Sequence, residues 1–120
     1  VMKPISLVEI DDSQIGVIRN PYERIIHLYR ESWDWVGLEE WIKKSTIKPQ
    51  AELIQDLDGF VTLEHWQNDF DALELTPPKN SMNKLSKHYS EDYRRWYGQN
   101  LKTLVRPIVL PDLETFGYRF

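Results

Sequence analysis

Arg19 stands directly before Asn20-Pro21, an order that puts a fixed positive charge where a helix would begin. Asn20 is a favoured N-cap, Pro21 suits the first helical position, and Glu23 follows three residues after the cap. Arg19 and the unpaired amides near Tyr22 and Glu23 would together seat an anion, with Glu23 partly opposing it. The plainer reading of Arg19 is a charged residue leaving a buried strand. Arg24 reads either as a second anion contact or as the partner of a nearby carboxylate. His27 has an ordinary pKa near neutrality and, if protonated, would donate a charge-assisted hydrogen bond to a phosphate; its plainer role is structural. His65 beside Glu64 and His88 beside Tyr89 lack ligand spacing, so no metal site is expected.

Positioning these groups requires a strand ahead of Arg19 and a helix behind it. Ile5 to Ile10 reads as a first strand, Asp11 to Gln14 as a turn, and Ile15 to Ile18 as a short buried strand. From Asn20 to about Trp33, Tyr22, Ile25, Ile26, Tyr29 and Trp33 recur at helical spacing, with Arg24, Arg30 and Glu31 as polar surface. Short helices are expected around Leu38 to Ile42 and Leu53 to Leu57. A strand follows at Phe60 to Leu63, and a helix carrying Trp66, Phe70 and Leu73, with Thr62 as its cap. Lys79-Asn80-Ser81 and Lys84 to Lys87 read as a modestly basic loop, solvated in the plainer reading. Ser90 is expected to cap a helix bearing Tyr93, Tyr97, Leu101, Leu104 and Val105 until Pro107 interrupts it, with a last turn over Asp112 to Phe116.

The chain of 120 residues suits one domain, residues 1–120, and one core. Five Trp, six Tyr and four Phe predict a ring-rich interior, so the aromatic stripe of Trp33, Trp35, Trp41, Trp66, Tyr93, Trp96 and Tyr97 is read mostly as core rather than as a sugar or adenine platform. A net charge of −4 is the wrong sign for a protein held on nucleic-acid phosphates. The absence of cysteine removes disulfides and thiolate chemistry. No membrane span and no signal peptide is read, so a cytoplasmic protein with neither nucleic acid nor membrane as partner is expected.

The segment Gly16-Val17-Ile18 running into Arg19-Asn20-Pro21-Tyr22-Glu23-Arg24-Ile25-Ile26-His27-Leu28-Tyr29 resembles the second phosphate-binding segment of sulfotransferases. Further pieces agree in order: Leu38-Glu39-Glu40-Trp41-Ile42, Glu64 before Asn68-Asp69-Phe70, Asn80, His88-Tyr89, and the close Phe116-Gly117-Tyr118-Arg119-Phe120, which is similar to the ending of carbohydrate-type sulfotransferases and their bacterial and viral relatives. The resemblance covers nearly all of the chain from Ile15 onward.

It implies an α/β, mostly helical architecture: a truncated P-loop-type sulfotransferase-like fold with a small remnant sheet. In the family the arginine ending the strand, together with a serine farther along the helix, holds the 3′-phosphate of phosphoadenosine phosphosulfate (PAPS). Arg19 matches that arginine and His27 replaces the serine. The implied cofactor is PAPS or its product adenosine 3′,5′-bisphosphate (PAP), held by Arg19 with Arg24 and His27. The implied reaction is sulfuryl transfer to a hydroxyl, such as that of a carbohydrate. Only eighteen residues precede Arg19, and their one lysine, Lys3, and one glycine, Gly16, make no recognisable loop for the donor's 5′ side. Catalytic residues stay unassigned. Either a complementing segment or chain supplies that loop and a general base, or the protein is an inactive relative serving as a homodimer or interaction module.

Overall fold

Asp11 and Asp12 both adopt left-handed backbone, with φ of 50° and 68°, which is the geometry of a two-residue hairpin turn whose twist suits the flanking strands. The structure, a computed structural model, describes residues 5–120; Lys3 lies outside them. Strand β1 (Ser6–Ile10) turns at these aspartates into β2 (Ser13–Ile18), pairing antiparallel from Ile10↔Ser13 to Ser6↔Val17. β2 therefore begins two residues earlier than the sequence suggested, because aspartate takes the positive-φ positions usually given to glycine or asparagine.

Helix α1 (Pro21–Ser32) follows directly, and the Asn20 side chain accepts from the Tyr22 amide at 3.0 Å as an N-cap should. Two short helices, α2 (Leu38–Lys44) and α3 (Gln50–Leu53), carry the chain back to β3 (Gly59–Thr62). β3 pairs with β2 in parallel, Gly16 opposite Phe60 and Ile18 opposite Thr62, so the sheet order is β1-β2-β3. A single 3₁₀ turn, Leu63–His65, leads into α4 (Trp66–Ala72), followed by α5 (Lys79–Lys87). A second 3₁₀ turn, Tyr93–Trp96, precedes the long α6 (Gln99–Phe116), which Gly117 ends in a left-handed cap at φ 74°.

Two apolar clusters hold these elements together. Val8, Ile15, Val17 and Val61 of the sheet meet Leu63, Trp66, Phe70 and Met82 from the α4 and α5 side. Ile25, Ile26 and Leu28 of α1 meet Trp41 and Ile42 of α2 and Val105 and Val109 of α6. The result is an α/β unit in which helix exceeds strand.

Several sequence expectations need correction. Lys79 to Lys87 is a nine-residue helix rather than a loop, because Met82 is fully buried and anchors one face against the sheet. Pro107 does not stop α6, which runs through both Pro107 and Pro111; Pro107 and Thr103, whose carbonyl the proline leaves without its amide partner, are both exposed residues on the solvent side of the helix. The helix begins at Gln99, not at Ser90. Thr62 does not cap α4; its amide and hydroxyl instead donate to Asp69 at 2.7 and 2.6 Å. Trp33 and Trp35 are 82% and 95% exposed rather than core, since Trp33 takes the left-handed C-cap of α1 at φ 54° and turns the chain outward. Arg24 is buried, not surface.

Candidate functional site

The parallel pairing of β2 and β3 places their C-terminal ends side by side, which is where ligands of open α/β sheets bind. Arg19 and Asn20 leave β2 there, and Glu64 leaves β3. Hydrogen bonds stitch the two ends together: the Asn20 amide donates to Glu64 Oε2 at 2.8 Å, and the Tyr118 hydroxyl donates to Glu64 Oε1 at 2.6 Å. Asn20 Nδ2 donates to the Arg119 carbonyl at 2.8 Å, while the Tyr93 hydroxyl and Arg94 Nε donate to the backbone oxygen of Phe120. The Phe120 ring makes edge contacts with Tyr22, Tyr93 and Tyr97. The C-terminal segment is thus built into the same end of the sheet as Arg19.

Arg19 is 4% exposed and faces inward. Its Nη1 lies 3.1 and 3.3 Å from the two carboxylate oxygens of Glu23, one helical turn on, and Glu23 Oε1 also accepts from the Ser90 amide at 3.0 Å. Glu23 has no exposed surface, and burial pushes its carboxyl up to about 7, with the charge of Glu64 adding to the rise and Arg19 and the Ser90 amide opposing it. The backbone of Arg19 is closed off by a second polar clasp. Gln50 accepts from the Arg19 amide (2.9 Å) and donates to its carbonyl (2.7 Å), extending the ladder beyond β2. Asp112 of α6 then accepts from the Gln50 amide, Gln50 Nε2 and the Ala51 amide at 3.1, 3.2 and 2.8 Å, which caps α3. Among the described residues no buried side-chain nitrogen or oxygen lacks a partner.

Beside α1 lies an open cleft of about 740 Å³ whose charged and polar wall includes His27, Arg30, Glu31, Lys87, His88 and Ser90. Arg30 Nη1 donates to Ser90 Oγ at 3.3 Å, and His27 Nε2 sits 2.9 Å from Glu31 Oε1. Burial, and then the charge of Arg19, holds the His27 pKa below its ordinary value against the pull of Glu31, so His27 is largely neutral near pH 7. Ser90 links the two halves: its side chain and neighbours line the cleft, and its amide holds the carboxylate that holds Arg19.

Of the three sequence candidates, the structure places His27 on the cleft wall and Arg19 behind it through Glu23. Arg24 goes elsewhere. Its Nη1 donates to the Lys48 carbonyl at 2.8 Å, and it lines a separate cavity of about 440 Å³ with Leu28, Trp41, Ile47, Lys48 and Leu53. Burial lowers the Arg24 pKa to about 10 despite nearby Asp112, which still leaves it charged at neutral pH. Arg30 was read as polar helix surface and Lys87 as part of a basic loop; the structure brings both to the cleft wall. The basic run before Ser90 was visible, but only an α5 helix ending at Lys87 brings it opposite α1. Among the described residues no group of three or more His, Cys, Asp or Glu is arranged for a metal, and no helix is long and apolar enough to cross a membrane. Comparison of the chain with protein-family models, curated proteins and solved structures returns no match.

Proposed function

We propose that the chain is a sulfotransferase-like domain that binds the 3′-phosphate side of PAPS or PAP in the cleft beside α1. The observation that carries this is the convergence of Arg30, Lys87, His27 and His88 on one open cleft whose wall residue, Ser90, is coupled through Glu23 to Arg19. Arg30 and Lys87 supply charge to phosphate oxygens, Arg by its planar fork and Lys as a point charge. His27 and the Ser90 hydroxyl add polar contacts at the wall. Arg24 serves the fold, tying α1 to the loop before α3. Sulfuryl transfer to a hydroxyl, such as that of a carbohydrate, further needs donors around the 5′ side and a base within reach of the acceptor, and a complementing segment or chain provides both.

Isothermal titration of the folded chain with PAP tests this directly. Binding is expected, and Arg30→Ala and Lys87→Ala each weaken it by about tenfold, the scale of one charge-assisted hydrogen bond. Absence of heat up to millimolar ligand would remove the proposal for this chain.

A second reading, an inactive sulfotransferase-fold relative acting as a homodimer or interaction module, is favoured by the exposed pair Trp33 and Trp35, with Leu7 and Phe60 also exposed on the outer strands. Light scattering separates the two. A strict monomer at high concentration excludes self-association.

A further inference from the structure

We propose that Glu23 is an internal plug in an anion seat formed by Arg19 Nη1 and the Ser90 amide, and that the phosphate entering the neighbouring cleft must displace it. The geometry is that of a filled oxyanion site: a carboxylate with no exposed surface, held at 3.1 and 3.3 Å by a guanidinium and at 3.0 Å by a backbone N–H. Ser90 also forms part of the cleft wall, where Arg30 reaches its hydroxyl, so the seat and the cleft share a residue. This inference rests on the donor-binding reading above and supplies its regulation: Arg19 takes part in binding only when Glu23 releases it.

A proton from solvent on Glu23 removes the charge that holds Arg19. Burial pushes that carboxyl up to about 7, so the plug weakens within the physiological range. The charged and titratable groups acting on it are Arg19 before α1, Glu64 beyond β3, and Tyr89 and Tyr97 of the segment before α6. If only the neutral form yields the seat, about one molecule in eleven is competent at pH 8 and about ten in eleven at pH 6, which weakens apparent affinity about tenfold at the higher pH.

The test is titration with PAP at pH 6 and pH 8 for the wild type and Glu23→Gln. The ligand's own ionisation and the two histidines act equally on both proteins, so the ratio of their affinities isolates Glu23. The variant is expected to bind about tenfold tighter than wild type at pH 8 and equally at pH 6. Equal affinities at both pH values, with binding present, would overturn the plug while leaving the donor site standing; no binding by either protein at either pH would overturn the site and the plug together. Should Glu23→Gln fail to fold, the wild type alone decides. Calorimetry in buffers of different ionisation enthalpy should show uptake of about one proton per ligand bound at pH 8, and no uptake overturns the proposal.

Discussion

Replacing Asp112 by alanine removes the carboxylate that joins α6 to α3 and, through Gln50, to the end of β2. Asp112 is 1% exposed and accepts three N–H bonds, from Gln50 N, Gln50 Nε2 and Ala51 N. A hydrogen bond to a charged acceptor contributes about 1.5–3 kcal/mol, and losing a helix cap costs about 1 kcal/mol. The three bonds share one acceptor and the α3 donors regain water in part, so the terms do not add; a loss of about 3–4 kcal/mol is expected. At about 4 °C per kcal/mol for a domain of this size, the Tm falls by about 12–16 °C. Denaturant unfolding followed by tryptophan fluorescence measures the loss. The combined Asp112→Ala, Gln50→Ala variant should show coupling of about 1 kcal/mol or more, since both residues belong to one network. A loss below about 1 kcal/mol for Asp112→Ala would refute the clasp as a determinant of the β2 end.

Stability should also report Glu23. Its folded pKa is raised from 4.5 to about 7, so the native state binds more protons than the unfolded state between those values, and stability falls as pH rises through that window, by on the order of 3 kcal/mol. His27, with its lowered pKa, acts in the opposite sense and loses stability as pH falls; the difference between wild type and Glu23→Gln across pH 5 to 8 separates the two, and parallel curves would contradict the assignment. Trp33 holds φ 54° with its ring in solvent, so Trp33→Gly should raise stability by up to about 1 kcal/mol in chemical denaturation and lower any self-association seen by light scattering. Gly117→Ala should cost about 1 kcal/mol, because φ 74° is strained for any side chain even with open space around it. Phe120→Ala should cost about 3 kcal/mol through loss of its edge contacts with Tyr22, Tyr93 and Tyr97.

The start of α1 was legible because every local signal there agrees: Asn20 caps, Pro21 begins the helix, and the apolar spacing continues to Leu28. Both strands of the hairpin and β3 were legible from β-branched runs. α5 was not, since a nine-residue segment with a single buried side chain, Met82, has too little periodicity to distinguish a helix from a loop. Nor was the inward turn of Arg19. A salt bridge at i, i+4 is readable as spacing, yet its burial depends on Ser90 and Glu64 arriving from distant parts of the chain. Arg24 looked like polar helix surface for the same reason. Helical spacing says which residues share a side, and long-range packing decides which sides meet water.

The claim on which the functional reading depends is that an anion binds between α1 and the end of α5. A two-dimensional NMR titration of the chain with PAP tests it residue by residue. Amides of Ser90, His88, Lys87 and the cleft-facing part of α1 should shift together and saturate, while those of Ser45 to Lys48 around the Arg24 cavity stay in place. Shifts confined to that second cavity, or none at millimolar ligand, would contradict it.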